Sequence, residues 1–306
     1  MIYNYSGIEL YQIYDYDENA IHSAYNSAGD IVFSSQHVPN VVFNDVYNTL
    51  SPAPSPVTQG GAYYNGNLVV AQASGQNQAT LAVYDVSTGV KIGGTNLSNT
   101  STTYHGNTLC FDDALHSGNN QYPYLYISEY YGDGIIGVFD LANNDSEFSA
   151  SEVQTINFST VSSNLIGAGY HDFMIDHNAN ILYVVRYKTA GTYAAEEGNT
   201  TIITAFELPN IANSSVVLSD ADIIACHEIS SLIYARQECV YHDGYAYILA
   251  GTSTARKGLY IIDCTTFELY TVIQLGSIID GEPEALYFYD DYLYIVDNTK
   301  IYKFTY

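Results

Sequence analysis

The sequence is poor in cations, has no tryptophan and contains no long apolar run. Lys and Arg together number 8 against 33 Asp and Glu in 306 residues, so the formal net charge is −25. Such a negative surface repels the phosphate backbone of nucleic acids and the anionic face of a membrane, which excludes both as partners. No apolar run approaches the roughly 18 residues that a membrane-spanning helix needs.

Short motifs that identify common enzyme families are also missing. There is no Walker loop, dinucleotide fingerprint, zinc-binding pair or nucleophile elbow. The first twenty residues lack the basic and apolar regions of a secretory signal. The 4 cysteines form no CxxC pair, so we expect buried, reduced thiols rather than disulfides.

What the sequence does contain is a repeat of strand pairs. Five segments each place two short apolar strands around a turn, at residues 59–72, 107–129, 171–186, 237–250 and 284–297. The turns Asn65-Gly66 and Asp243-Gly244 favour hairpins, since both turn residues must accept a positive φ. Further strands follow most of these hairpins. Four short antiparallel strands in every ~45 residues are typical of a β-propeller blade.

The last repeat has only three strands and ends at residues 301–306. The strand-like segment 40–50, just before the first blade, can supply the missing strand. The sequence therefore predicts an all-β fold, a five-bladed β-propeller over residues 40–306 that is closed by an N-terminal strand. Residues 1–36 are predicted to be a β-rich arm with a ten-residue repeat, serving as a strand pair on the propeller or as an adaptor.

The hairpins also predict a site. In a propeller, the first strand of each blade is the inner strand that lines the central channel. Counting back from each hairpin turn places the first residues of these inner strands at one mouth of that channel: Gln59, Asn107, His171, Gln237 and Glu284. The same counting places opposite them, in the same order, Gln72, Glu129, Arg186, Ala250 and Asp297. Polar groups that converge in a concavity are typical of ligand sites. The predicted ligand-binding residues are Gln59, His105, Asn107, Glu129, His171, Asp172, Arg186, Gln237, Glu238, Glu282, Glu284 and Asp297.

Several uses of this mouth are open. These polar residues would also serve simply as the lining of a hydrated channel. Carboxylates such as Glu282 and Glu284 suit Ca²⁺ or another divalent metal, and His105 and His171 would complete a transition-metal site. Arg186 would hold an anionic group or pair with Glu129.

The 32 tyrosines alternate along the strands. Alternation sends some rings into the core and others outward. An exposed tyrosine beside Asn, Ser and Asp suits carbohydrate or protein recognition, because its rigid ring carries a polar tip.

Three hairpin segments and the final strand KIYKF carry a family resemblance. QGGAYYNGNL, RQECVYHDGYAYIL and GEPEALYFYDDYLYI resemble the five-bladed propellers of phage receptor-binding proteins of Gram-positive hosts and of teichoic-acid-associated proteins. The unit AYNSAGDIVF is similar to short repeats in tail proteins of phages of gut bacteria. The resemblance implies a virion or extracellular location, a glycan or cell-surface polymer as partner, and virion proteins contacting residues 1–36. The phosphates of teichoic acids would be repelled by the net charge unless metal ions bridge them.

Three hypotheses for the function follow. The first is a non-enzymatic recognition module that binds a glycan or cell-wall glycopolymer at the polar mouth. The second is a metal-assisted hydrolase or lyase acting on a sugar or phosphoester, and the third is a protein-interaction scaffold that uses the outer tyrosines. The fold by itself does not separate them.

Overall fold

The structure is a computed structural model. It describes residues 23–25, 31–34, 39–74, 77–97, 100, 102–116, 121–129, 134–144, 147–189, 199–230, 233–252 and 256–306. The chain divides into two compact units, Met1–Asn40 and Val41–Tyr306.

In the first unit, β1 (Ser23–Tyr25) and β2 (Ile31–Ser34) form an antiparallel pair. Both strands belong to the second of the two ten-residue repeats. The first repeat lies outside the described residues.

The second unit consists of five blades with four antiparallel strands each, and β3 (Val42–Thr49) is the fourth strand of the last blade. Blade one contains β4 (Thr58–Tyr64), β5 (Asn67–Gln72), β6 (Thr80–Asp85) and β7 (Lys91–Asn96). Blade two contains β8 (Tyr104–His116), β9 (Pro123–Glu129), β10 (Ile135–Asn144) and β11 (Glu147–Asn157). After the short helix α1 (Ser163–Ile166), blade three begins with β12 (Ala168–Asp176), β13 (Ile181–Tyr187) and β14 (Thr201–Glu207).

Blade three is completed only after an insertion that contains β15 (Ser215–Val217) and a 3₁₀ turn at Asp220–Asp222. Its fourth strand is β16 (Ile223–Ile229). Blade four contains β17 (Arg236–His242), β18 (Tyr245–Ala250), β19 (Gly258–Asp263) and β20 (Glu268–Gln274). Blade five contains β21 (Ala285–Tyr289), β22 (Tyr292–Val296) and β23 (Lys300–Thr305).

The ring is closed by the strand that precedes the first blade. β3 pairs with β23, from Thr49 opposite Lys300 to Val42 opposite Thr305. The sequence prediction that segment 40–50 completes the last blade is confirmed, and so is the five-bladed propeller. The closing strand satisfies the edge of β23, which would otherwise present unpaired backbone groups.

The apolar core lies between the blades. The described residues form five buried clusters, and each joins two neighbouring blades. Phe139 of blade two and Leu81 of blade one share one cluster, for example, and Ile248 of blade four shares another with Val185 of blade three. Because successive side chains point to opposite faces of a strand, a central strand packed on both faces must be apolar at every position. That requirement explains the continuous apolar runs of the second strand in each hairpin.

Predicted hairpin turns appear where the sequence places them. Asn65 and Gly66 have φ of 45° and 84°, and Asp243 and Gly244 have φ of 47° and 85°. These left-handed conformations are the ones that a tight two-residue hairpin requires.

One strand was not predicted. β15 pairs in parallel with β11, so the insertion of blade three adds a fifth strand to blade two. The buried amide of Gln154 fixes this insertion, because Nε2 donates to the carbonyls of Asn210 at 2.8 Å and Asn213 at 2.7 Å. A three-residue strand is too short to show a periodic pattern in the sequence.

All four cysteines are free, as expected. Cys239 is buried, while Cys110, Cys226 and Cys264 are half-buried. Within the described ranges, no helix is both long enough and apolar enough to cross a membrane.

Candidate functional site

Four inner strands share an irregularity near their first residues. The register shifts between Thr58 and Gly60 in β4 and between Arg236 and Glu238 in β17. It also shifts between Tyr104 and Leu109 in β8 and between Ala168 and Asp172 in β12. Bulges of this kind bend a strand and redirect its side chains, and they are frequent next to functional sites.

These bulges make the predicted facing pairs wrong in blades one, two and four. Thr58, not Gln59, lies opposite Gln72, and Arg236, not Gln237, lies opposite Ala250. Tyr104 takes the predicted place of Asn107 opposite Glu129. In blade three, Asp172 pairs with Val185 in the predicted register, and the predicted pair of His171 and Arg186 falls in the irregular stretch between Ala168 and Asp172. Counting from a turn assumes an uninterrupted ladder, and each extra residue breaks that assumption.

The structure nevertheless brings most of the predicted residues together. A cavity of about 250 Å³, which we call the polar mouth, opens where the inner strands begin. Seven predicted residues line it: Gln59, His105, Asn107, Asp172, Gln237, Glu282 and Glu284. At about 30 Å³ for each molecule of liquid water, the polar mouth has room for about eight waters or one small polar ligand.

An arginine that the sequence reasoning missed is central to this cavity. Arg236 lines the polar mouth, and its Nε donates a 2.6 Å hydrogen bond to Asp172 Oδ2. Its Nη2 donates to the carbonyl of Tyr170, and its guanidinium carbon lies 3.9 Å from the ring centroid of Tyr187. The signal in the sequence was that Arg236, one of only 8 cations, directly precedes the predicted position Gln237.

Burial shifts the pKa values of both His105 and Glu284 in the direction that favours their uncharged forms. Burial lowers the pKa of His105 to about 4. Burial also raises the pKa of Glu284 well above its ordinary value, and the nearby charge of Glu282 adds to the rise. A protonated carboxyl both donates and accepts a hydrogen bond, so Glu284 is a more versatile contact than a carboxylate.

Three buried polar atoms on the wall of the polar mouth have no hydrogen-bond partner among the described residues. They are Asn107 Oδ1, Arg236 Nη1 and Glu284 Oε2. Buried polar atoms in folded proteins are nearly always satisfied, because an unmade hydrogen bond costs about 1–3 kcal/mol. All three atoms belong to residues that line the polar mouth.

Gln237 and Glu282 form a fixed pair on the same wall. Gln237 Nε2 donates to Glu282 Oε1 at 2.8 Å and to the carbonyl of Gly251 at 2.9 Å. These two bonds orient the amide of Gln237, so its acceptor oxygen is the remaining polar atom.

Glu238 was predicted at the mouth, but it lies on the axis of the propeller below the cavity. Its carboxyl oxygens accept hydrogen bonds from the backbone N–H groups of Leu109 at 3.0 Å, Leu286 at 2.8 Å and Gly61 at 3.2 Å. One buried side chain of blade four thus holds the inner strands of blades two, five and one. Burial raises the pKa of Glu238, and the three N–H donors oppose that rise.

The other four predicted residues are also engaged elsewhere. His171 Nε2 lies 3.1 Å from the carbonyl of Ile135, and Arg186 Nη2 donates to the carbonyl of Gly169 at 2.6 Å. Glu129 accepts the N–H of Gly134 at 3.1 Å. Asp297 accepts the N–H groups of Thr299 and Lys300 in the turn before β23, and the hydroxyl of Tyr302.

The predicted metal ligands Glu282 and Glu284 share the polar mouth. Over the part of the chain that the structure describes, no three or more His, Cys, Asp or Glu side chains converge as metal ligands would. The Ca²⁺ site stays a prediction from the sequence.

Comparison with known proteins reaches only the fold. No protein family and no curated protein matches the sequence. Similar solved structures include AztD from Citrobacter koseri, at 12% identity over 93% of this chain and 61% of that chain, with a TM-score of 0.32. BamB from Moraxella catarrhalis is 10% identical over 93% of this chain and 66% of that chain, with a TM-score of 0.34. The WD40 domain of Neurospora crassa Pan2 is 10% identical over 92% of this chain and 69% of that domain, with a TM-score of 0.37.

This chain therefore spans less than two thirds of the length of AztD and of BamB. At TM-scores below 0.5, none of these structures informs the choice of ligand. The propeller fold is compatible with a binding or a scaffold role. The resemblance to phage receptor-binding proteins stays a prediction from the sequence.

Proposed function

We propose that this protein is a recognition protein that binds, without turnover in this cavity, a neutral, hydroxyl-rich ligand, one sugar unit of a glycan, in the polar mouth. The observation that carries the proposal is the set of unpartnered atoms of Asn107, Arg236 and Glu284 in one cavity of about 250 Å³. They comprise a fixed donor, an acceptor and a carboxyl whose raised pKa favours the protonated form, which both donates and accepts. Sugar hydroxyls both donate and accept hydrogen bonds, so they match such a mixed set.

The electrostatics of the cavity favour a neutral ligand over an anion. The charge of Arg236 is offset by Asp172 at 2.6 Å, and His105 carries no charge near neutral pH. The formal net charge of −25 further disfavours a phosphate or carboxylate ligand.

The size of the cavity limits what it holds. Pockets for drug-sized ligands occupy about 300–1,000 Å³, and the polar mouth is slightly smaller. It suits a terminal or single sugar unit, while the rest of a glycan would extend from the opening. A cell-wall or cell-surface glycan is the partner that this arrangement supports, consistent with the location that the sequence resemblance implies.

Isothermal titration calorimetry with single sugars tests the proposal. The probes are glucose, galactose and N-acetylglucosamine, with galacturonate and glucose 6-phosphate as anionic counterparts. We expect saturable binding of a neutral sugar and at least tenfold weaker binding of the anions. The variants Asn107→Ala and Glu284→Gln should each weaken binding about five- to tenfold, the equivalent of one lost hydrogen bond.

Glu268→Gln is the matched control, since Glu268 is an exposed carboxyl on β20. It should leave the affinity unchanged. Preferred binding of the anions, or sugar binding that Asn107→Ala and Glu284→Gln do not alter, would refute the assignment to the polar mouth. Binding of the sugar followed by its chemical turnover would favour the hydrolase hypothesis instead.

A further inference from the structure

The structure has a second cavity. The inner-strand residues that line it lie about two positions further along the chain than those that line the polar mouth. This lower cavity has a volume of about 270 Å³ and is lined mostly by apolar and aromatic side chains, including Met174, Val240, Leu286 and Phe288. Gly61, Leu109 and Leu286, whose backbone N–H groups bind the buried Glu238, also line the lower cavity. The proposed sugar site does not involve this cavity.

Three side chains at the wall of the lower cavity form a connected series. Cys110 Sγ lies 3.8 Å from His177 Nε2, and His177 Nδ1 lies 3.6 Å from Asp112 Oδ1. Cys110 and His177 both line the lower cavity. Asp112 is only 2% exposed, whereas His177 is 20% exposed.

The propeller places these residues together from two blades. Cys110 and Asp112 stand two positions apart on β8, so they share a face of that strand. His177 follows the last residue of β12, in the turn of the neighbouring blade. His177 Nδ1 makes no hydrogen bond among the described residues, and a proton on that nitrogen would point to Asp112 Oδ1 and leave the Nε2 lone pair for the thiol.

The order thiol, imidazole, carboxylate is the arrangement in which a nucleophile is activated by a base that a third group orients. The thiol of Cys110 contacts the carbonyl oxygen of Phe111 at 3.3 Å, and a rotation of the S–H bond redirects it to His177. Distances of 3.6–3.8 Å exceed a tight hydrogen bond, as is common when no substrate is bound.

The other three cysteines lack such activation. Burial raises the pKa of Cys264 to about 12 and raises those of Cys226 and Cys239 as well. Their thiols stay protonated, and a protonated thiol is a poor nucleophile.

We propose that Cys110 is a nucleophilic cysteine that accepts an acyl group from a small apolar ester or thioester in the lower cavity, with His177 as base and Asp112 as positioning residue. The thiol proton passes to His177 Nε2 as the sulfur attacks the carbonyl carbon. The C–S bond forms, the C–O or C–S bond to the leaving group breaks, and His177 returns the proton to that group. Water then cleaves the acyl–cysteine bond and regenerates the thiol.

Two probes test this on the full chain at pH 7. Iodoacetamide, followed by peptide mapping, should label Cys110 and leave the other three cysteines unlabelled. p-Nitrophenyl acetate should release a burst of one p-nitrophenolate per chain. His177→Gln should slow both reactions about 100-fold, the usual contribution of a general base, and Cys110→Ser should abolish both.

His242→Gln is the matched control, because His242 lines the same cavity but stacks on Phe288 at 3.9 Å. It should leave both rates unchanged, and melting temperatures should show that each variant is folded. Labelling of the wild-type protein needs no variant, so a folding defect cannot hide the answer. The proposal is overturned if the wild-type label falls on another cysteine, if no burst occurs, or if His177→Gln reacts as fast as wild type.

Discussion

Arg236 Nε and Asp172 Oδ2 are joined by a 2.6 Å ion pair whose two side chains are 1% and 3% exposed. Asp172 Oδ1 also accepts the hydroxyl of Thr108 at 3.2 Å, so the carboxylate connects three blades. The pair stabilises the floor of the polar mouth and leaves one guanidinium nitrogen directed at no protein group among the described residues.

Removing one partner of this pair should strongly destabilise the protein. Arg236→Met leaves Asp172 buried and unpaired, and we expect the free energy of unfolding to fall by about 3–5 kcal/mol. Urea denaturation measures it. Lys300→Met is the control, since it breaks the exposed pair of Lys300 and Asp280 and should cost less than about 1 kcal/mol. Equal losses in the two variants would contradict the structural importance of the buried pair.

Glu238 should matter for stability and not for the sugar site. In the wild-type protein, the carboxyl oxygens of Glu238 accept hydrogen bonds from backbone N–H donors. In Glu238→Gln, the new NH₂ group faces some of these donors and cannot accept from them. We expect a loss of at least about 2 kcal/mol in urea denaturation, because buried donors are left unpaired. Sugar affinity, measured below the unfolding transition, should stay within twofold of wild type. A loss of affinity with no loss of stability would place Glu238 in the binding site.

The raised pKa of Glu284 makes stability depend on pH. The folded state keeps the proton above the ordinary pKa of 4.5, while the unfolded state releases it. The contribution of Glu284 to the free energy of unfolding is therefore complete below pH 4.5. It is lost as the pH rises through the pKa of Glu284 in the folded protein, and the free energy of unfolding then falls by up to about 1.4 kcal/mol per pH unit.

Glu284→Gln cannot titrate, so its free energy of unfolding should fall less steeply between pH 5 and pH 7 than that of wild type. Urea denaturation at several pH values compares the two slopes. Glu268→Gln, at the exposed position, should keep the wild-type slope. Parallel curves for Glu284→Gln and wild type would show that Glu284 is ionised in the folded protein.

The closing strand should be essential and the preceding residues dispensable for the propeller fold. A chain of residues 41–306 retains β3 and the buried Leu50, and we expect it to unfold cooperatively. A chain of residues 51–306 exposes the edge of β23 and should aggregate or lose its cooperative transition. Thermal unfolding followed by circular dichroism distinguishes them, and a stable 51–306 chain would contradict the role of the closing strand.

Much of the fold could be read from local sequence. Hairpin turns such as Asn65-Gly66 need particular residues, and strands packed on both faces must be apolar, so blade number and closure by β3 followed from pattern alone. The parallel strand β15 could not be predicted, because three residues carry no periodicity and its partner β11 lies far away in sequence. Seven of the twelve predicted site residues do line one cavity, since each blade repeats the same geometry.

What the sequence by itself determined was the repeat: five hairpins, their turns, and a polar residue where each inner strand begins. Only the tertiary structure decided which of those polar residues face one another. Bulges shifted the register, brought Arg236 into the polar mouth, and left Glu238 to bind three backbone N–H groups on the axis. The physical reason is that strand pattern depends on neighbours in the chain, whereas bulges and buried charges are fixed by partners from other blades.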